Sequence, residues 1–136
     1  GYKWEAFQAI PYNAALMQQA GVVVAINSDD AEMSRRLNQE AAKSVKYGGL
    51  SEIDAFKQVT INPAILLHLD NRIGSIRPGK DADLVLWSDH PLSIYAGVET
   101  TWIEGTPYYD RDEDLAMREQ IANERARIIA AIGRED

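Results

Sequence analysis

Hydrophobic positions along the chain change period several times, and each change marks a predicted element. Val22–Ile26 (VVVAI) is an unbroken apolar run, β-branched at four of its five positions. Gly21 precedes it, and Asn27-Ser28-Asp29-Asp30 follows at once. A run this short and this branched predicts a strand rather than a helix. Its lack of alternation predicts a strand covered on both faces, as in a parallel sheet. Before it, Asn13 stands where an N-cap belongs for a short helix over AALMQQA, stopped by Gly21.

After Ala31 the period becomes helical. Met33, Leu37, Ala41 and Val45 recur at i, i+4, i+8 and i+12, which places them on one helix face. Asp29 or Asp30 is the predicted N-cap and Gly48-Gly49 the stop. Ser51-Glu52-Ile53-Asp54 resembles a capping box with Asp in the Glu/Gln position, and Ile53, Phe56 and Val59 are the predicted inward face of the next helix. Asn62-Pro63 reads as N-cap and N1 of a short helix over AILLHL.

The pattern changes character after Asp70. Arg77-Pro78-Gly79-Lys80 is a turn signal. Ala82–Trp87 predicts an apolar strand. Val98–Ile103, turned by Glu104-Gly105 into Pro107-Tyr108-Tyr109, predicts a hairpin whose proline belongs on an edge. A last helix is predicted from about Asp112 to Ile132, with Leu115, Ile121, Ile128, Ile129 and Ile132 as its apolar stripe. There is no internal repeat and no low-complexity segment.

Composition narrows the function classes. The 136 residues suffice for one domain of modest core, and the net charge is −7. A nucleic-acid binder needs a basic face to neutralise phosphates, and there is no Lys/Arg cluster to form one. With no cysteine there is no disulfide framework and no thiolate metal site. No apolar stretch approaches the roughly 20 residues needed to cross a bilayer. The N-terminal GYKWEAFQAI has no signal-peptide core. The expectation is a soluble protein, with the cytoplasm favoured and an upstream signal segment left open.

Three stretches carry a family resemblance: Ala20–Asp30 (AGVVVAINSDD), Val59–Ala64 (VTINPA) and Ile73–Trp87 (IGSIRPGKDADLVLW). Together they resemble the C-terminal end of the metal-dependent amidohydrolase superfamily, and are most similar to its imidazolonepropionase-like and prolidase-like branch. The resemblance spans roughly residues 14–110, and the helix from Asp112 onward falls outside it. It implies an α/β fold: the C-terminal strand–helix portion of a (β/α)8 barrel, part of a small β-sandwich domain, and a C-terminal helix. On that basis residues 1–70 are the barrel part, 71–110 the small β domain and 111–136 the helix.

The resemblance also implies chemistry. Such barrels carry their site at the C-terminal ends of the strands. One or two divalent metals, often zinc, hold a hydroxide that attacks a carbonyl. A divalent ion lowers the pKa of bound water toward about 7, and a nearby carboxylate can then take its proton. By the motif match Val22–Ile26 is the eighth barrel strand. Asp29 is then the aspartate that touches the metal and shuttles a proton to the leaving amine. The substrate is a small amide or cyclic amide, with no nucleic acid and no membrane involved.

Other readings stay beside this one. Without the resemblance, Asp29-Asp30 ahead of a helix are capping residues, and Asp30 remains either an N-cap or a partner of the site. A Mg²⁺ phosphoryl-transfer site would need a D-x-D spacing, which is missing. His68 reads as a partly buried structural residue and His90 as a solvated loop residue. Lys80 and Asp83 read as turn-forming, and Trp87, Trp102, Tyr108 and Tyr109 as packing. The family pattern needs a His-x-His and further histidines, whereas the chain has two His in all. A catalytic metal keeps about three protein ligands, and Asp29 alone is recognisable. Two hypotheses follow: a portion of a hydrolase that is inactive and holds no metal by itself, or a non-catalytic folding and assembly module. An apolar strand without a partner strand also predicts self-association.

Overall fold

The computed structural model describes residues 4–28, 30 and 32–132. The chain forms two compact units. One comprises Gly1–Asp81 with Asp89–Ala96, the other Ala82–Ser88 with Gly97–Asp136.

The first unit is helical. Its elements are α1 (Trp4–Phe7), α2 (Asn13–Gln19), a 3₁₀ turn (Met33–Arg36), α3 (Leu37–Gly48), α4 (Glu52–Lys57) and α5 (Ile61–Leu66). Small residues let these helices approach closely. A Cβ on Gly48 at the end of α3 would stand 2.1 Å from the Cβ of buried Ala15 in α2, so no larger residue fits at 48 without moving a helix. Ala41, Ala55 and Leu92 form the core cluster, with Ile26, Ala42, Val45, Phe56 and Val59 packed against it.

Several local expectations hold. Ser51 caps α4: its hydroxyl accepts the Asp54 N–H at 3.1 Å and donates to the Asp54 carboxylate at 2.8 Å. Gly49 ends α3 in the left-handed conformation. Others are corrected. Tyr12, not Asn13, occupies the N-cap position of α2. The helix predicted from Ala31 opens as 3₁₀, and its α-helical part starts only at Leu37. Ile53 is 71% exposed rather than inward. The buried arc of this segment is set by Ala55, Gln58 and Val59, and at 3.6 residues per turn Ile53 lies about 170° from its centre.

The main correction concerns Val22–Ile26, which carries no strand hydrogen bonding. A strand exists only through a ladder with a neighbour, and the described residues offer this segment none. Val24 is buried while Val22 and Val23 are half exposed.

The second unit is a three-stranded antiparallel sheet in the order β1 (Leu84–Trp87), β2 (Val98–Ile103), β3 (Thr106–Asp110), followed by α6 (Arg111–Ile132). Leu84 faces Trp102 across β1–β2, and Thr101 faces Tyr109 across β2–β3. The predicted hairpin forms at Glu104-Gly105. Both residues have positive φ, +50° and +78°, as a two-residue type I′ turn requires. Pro107 lies on the edge strand β3, where its missing N–H costs no inner ladder bond. α6 runs over the predicted range, but none of its residues is buried. No helix among the described residues is long and apolar enough to cross a membrane.

Candidate site at the end of the apolar segment

The backbone that leads to Asn27 and Ser28 is held from behind by two residues of the α4–α5 region. The Ile26 N–H donates to the Gln58 carbonyl at 2.9 Å. The Asn62 side-chain amide donates to the Val24 carbonyl at 2.8 Å. Gln58 closes α4 and Asn62 stands in the first turn of α5, so the junction of the two helices carries both anchors.

Gln58 is itself fixed. Its side chain is fully buried; Oε1 accepts from the Ser44 hydroxyl at 2.8 Å, and its amide donates to Gln18 Oε1 at 2.8 Å. Gln18 passes the chain on to the Asp54 carbonyl at 3.4 Å. A buried polar group is tolerated when its bonds are made, and among the described residues no buried side-chain N or O lacks a partner. Backbone groups of 22–26 that would bond neighbouring strands in a sheet are thus partly served by the Gln58 carbonyl and by the Asn62 side chain of α5.

Asp29, the predicted catalytic and metal-binding residue, lies outside the described residues. Its neighbour Asp30 is exposed, and its carboxylate accepts the Glu32 N–H at 2.7 Å. That is an Asx-type turn ahead of the 3₁₀ helix; the N-cap position of that helix is Glu32, without a side-chain cap bond.

The most recognisable stretch of sequence, Gly74–Asp83, is built as a structural clamp. The Lys80 ammonium donates to Ser75 Oγ at 2.7 Å, to the Ile73 carbonyl at 3.1 Å and to the Asp70 carbonyl. Arg72 bonds Asp81 at 2.7 Å, and the Asp81 N–H returns to the Arg72 carbonyl at 2.8 Å. Gly74 has φ +82°, and a Cβ there would stand 2.7 Å from Ala64 Cβ and 3.0 Å from Ile61 Cα. The motif therefore demands Gly at 74 on two counts. In the second unit, Asp83 accepts the Glu104 N–H at 2.9 Å and so fixes the hairpin turn. Lys80 and Asp83 have the turn-forming roles their sequence context suggests.

Neither histidine joins this site. His68 is exposed, not partly buried as expected, and has φ +58°. It ends α5: its N–H meets the Ile65 carbonyl at 3.0 Å and the Leu69 N–H meets the Ala64 carbonyl at 2.8 Å, a Schellman arrangement. His90 has Nε2 3.7 Å from the Glu52 carboxylate and Nδ1 accepting from the Leu92 N–H at 3.3 Å. With Lys46, Leu92 and Ser93 these two residues line a cleft of about 280 Å³. Among the described residues no three His, Asp or Glu come together as a metal site, so those residues by themselves do not fit a catalytic metal.

Sequence reasoning missed Gln18, Ser44 and Gln58. The available signal was Gln58 itself, a polar residue between Phe56 and Val59 on an otherwise apolar arc. In the sequence Asn62 reads only as a cap. In fact α5 begins one residue before it, with Thr60 in the cap position, and its amide turns to Val24.

The profile of the amidohydrolase family matches residues 12–108. The chain is 34% identical over 110 residues to the amidohydrolase tasK of Hapsidospora irregularis, covering 80% of this chain and 11% of that protein. It is 40% identical over 76 residues to an imidazolonepropionase of Picrophilus torridus, covering 54% of this chain and 19% of that one. The crystal structure of an amidohydrolase from Thermotoga maritima superposes with a TM-score of 0.74 at 38% identity, over 81% of this chain and 29% of that one. The chain thus spans less than a third of the length of each.

Proposed function

Given that this chain belongs to the amidohydrolase family, matched over residues 12–108, we propose that it is the C-terminal portion of a longer metal-dependent hydrolase. The reaction is hydrolysis of a C–N bond in a small amide or cyclic amide. The family match carries this reading, and the similarity to an imidazolonepropionase supports a cyclic amide among the candidate substrates.

In this reading residues 1–70 complete the barrel and 71–110 complete the small β domain. Asp29 would be this chain's contact to a divalent metal, with zinc the expected ion, and would serve as the proton shuttle beside it. The remaining metal ligands come from outside this chain, so the chain alone is inactive. The part its own residues play is positional. Gln58 and Asn62 hold the backbone at Ile26 and Val24, three and five residues ahead of Asp29 in the sequence.

The test has two arms. The chain alone, supplied with Zn²⁺ or Mn²⁺, is assayed against dipeptides ending in proline, cyclic ureides and N-acyl amino acids, and no turnover is expected. The longer protein containing it is assayed on the same set with and without Asp29→Asn. Activity in the longer protein that Asp29→Asn reduces by orders of magnitude supports the reading. Full activity in that variant, or turnover by the chain alone that Asp29→Asn abolishes, overturns the corresponding part.

A further inference from the structure

α6 is a 22-residue helix on which no residue is buried. It begins beyond Tyr108, where the family match ends. At 100° per residue, Met117, Ile121, Ile128 and Ile132 fall within an arc of about 60°. They are 57%, 59%, 44% and 64% exposed. Gln120, Ile121, Glu124, Arg125, Ile128 and Ile129 line one open concavity along the same side. An apolar row of this length on a soluble helix marks a contact surface.

The spacing and the charges identify the occupant. If two copies of α6 run antiparallel about a twofold axis passing between Glu124 and Arg125, Met117 faces Ile132 of the other copy and Ile121 faces Ile128. In that same register Glu124 faces the other copy's Arg125. The three matches occur together in one register and twice over, as an isologous interface requires. The wider charge pattern agrees. Arg111–Ile121 holds four acids and two arginines, whereas Ala122–Ile132 holds one acid and two arginines. Antiparallel pairing sets the negative half of each helix against the positive half of the other, while parallel pairing stacks like on like. Glu124 is already bonded to Arg127 at 2.7 Å on its own helix, but Arg125 has no ion-pair partner among the described residues and is available across the interface. We propose that α6 is a homodimerisation helix, pairing antiparallel with α6 of a second copy through Met117, Ile121, Ile128 and Ile132.

The 136-residue chain and the longer protein that contains it are each examined by multi-angle light scattering and sedimentation over a concentration series. The expected result is a dimer that Ile121→Asp or Ile128→Asp converts to monomer with helical circular dichroism retained, since neither residue is buried. Glu124→Arg and Arg125→Glu should each weaken the dimer, and the two together should restore it. The chain has no cysteine, so Ile121→Cys and Ile128→Cys chains of different mass can be mixed and oxidised. A mixed disulfide should dominate over like-with-like disulfides. A wild-type monomer at every concentration, a dimer indifferent to Ile121→Asp and Ile128→Asp, a charge swap without rescue, or an excess of like-with-like disulfides each overturns the proposal.

Discussion

The side-chain amide of Asn62 donates a buried 2.8 Å hydrogen bond to the carbonyl oxygen of Val24, across 38 residues of sequence. A short helix is thereby tied to the apolar segment that ends beside the candidate catalytic aspartate. Such a bond stabilises modestly when made and costs more when one partner is removed and the other stays buried.

Asn62→Leu should therefore destabilise the first unit by about 1–3 kcal/mol, with faster amide exchange at Ile26 as the local signature. Asn62→Asp should cost more, because an ionised carboxylate would face the Val24 carbonyl with no proton to give. Denaturant melts with exchange read by NMR check both. Equal protection of Ile26 in wild type and Asn62→Leu would show that the Gln58 carbonyl suffices alone.

Gln58 is coupled on both sides, to Ser44 and to Gln18. Gln58→Leu leaves buried Ser44 and half-buried Gln18 without their partner, whereas Ser44→Ala leaves only the Gln58 oxygen without one. Gln58→Leu should be the more damaging substitution. Once Gln58 is gone, Ser44→Ala should cost little or become favourable. Melts of the two single variants and the double variant test this, and strict additivity would contradict the network.

The cap of α4 makes a pH prediction. The Lys57 ammonium, then the Ser51 hydroxyl, hold the Asp54 carboxyl below its ordinary value of 3.8. A carboxyl depressed on folding stabilises the fold above that ordinary value, and the contribution is lost as pH falls through the lower folded value. Asp54→Asn should thus shallow the acid limb of the melting profile and leave its shape near neutrality unchanged. Ser51→Ala should cost about 0.5–2 kcal/mol at neutral pH. An acid limb identical in Asp54→Asn and wild type would refute the assignment.

Asp30 and Asp29 should separate in a stability measurement. Asp30→Ala removes the acceptor for the Glu32 N–H and should cost about 0.5–2 kcal/mol. Asp29→Ala, if that residue is placed for chemistry, should be neutral or slightly stabilising, because adjacent carboxylates repel. The reverse ranking would make Asp29 the cap.

Gly74→Ala meets both a positive φ and two close neighbours. It should destabilise by more than the roughly 0.4–1 kcal/mol that Gly→Ala gains where the new residue fits without strain, whereas Gly79→Ala, with the same sign of φ but open space around it, should cost less. Comparing the two melting midpoints isolates the packing contribution.

Features that neighbouring residues decide among themselves were legible before any fold was known. The Ser51 cap, the Gly49 stop, the Glu104-Gly105 hairpin and the extent of α6 are all local, because their bonds or backbone angles involve residues close in sequence. The family was equally legible, since Gly74, Lys80 and Asp83 sit in a clamp and a turn that few other residues could form. Tertiary structure alone decided the rest. Val22–Ile26 has the composition of a buried strand, but a strand is a property of two segments, and without a neighbour its bonds go to Gln58 and Asn62 instead. Ile53 has the character of a core residue, yet the face α4 buries was set by Ala55, Gln58 and Val59 meeting α3 and the apolar segment. Asn62 looked like a cap because local pattern contains no information about a carbonyl 38 residues away, and only folding brings that acceptor within reach.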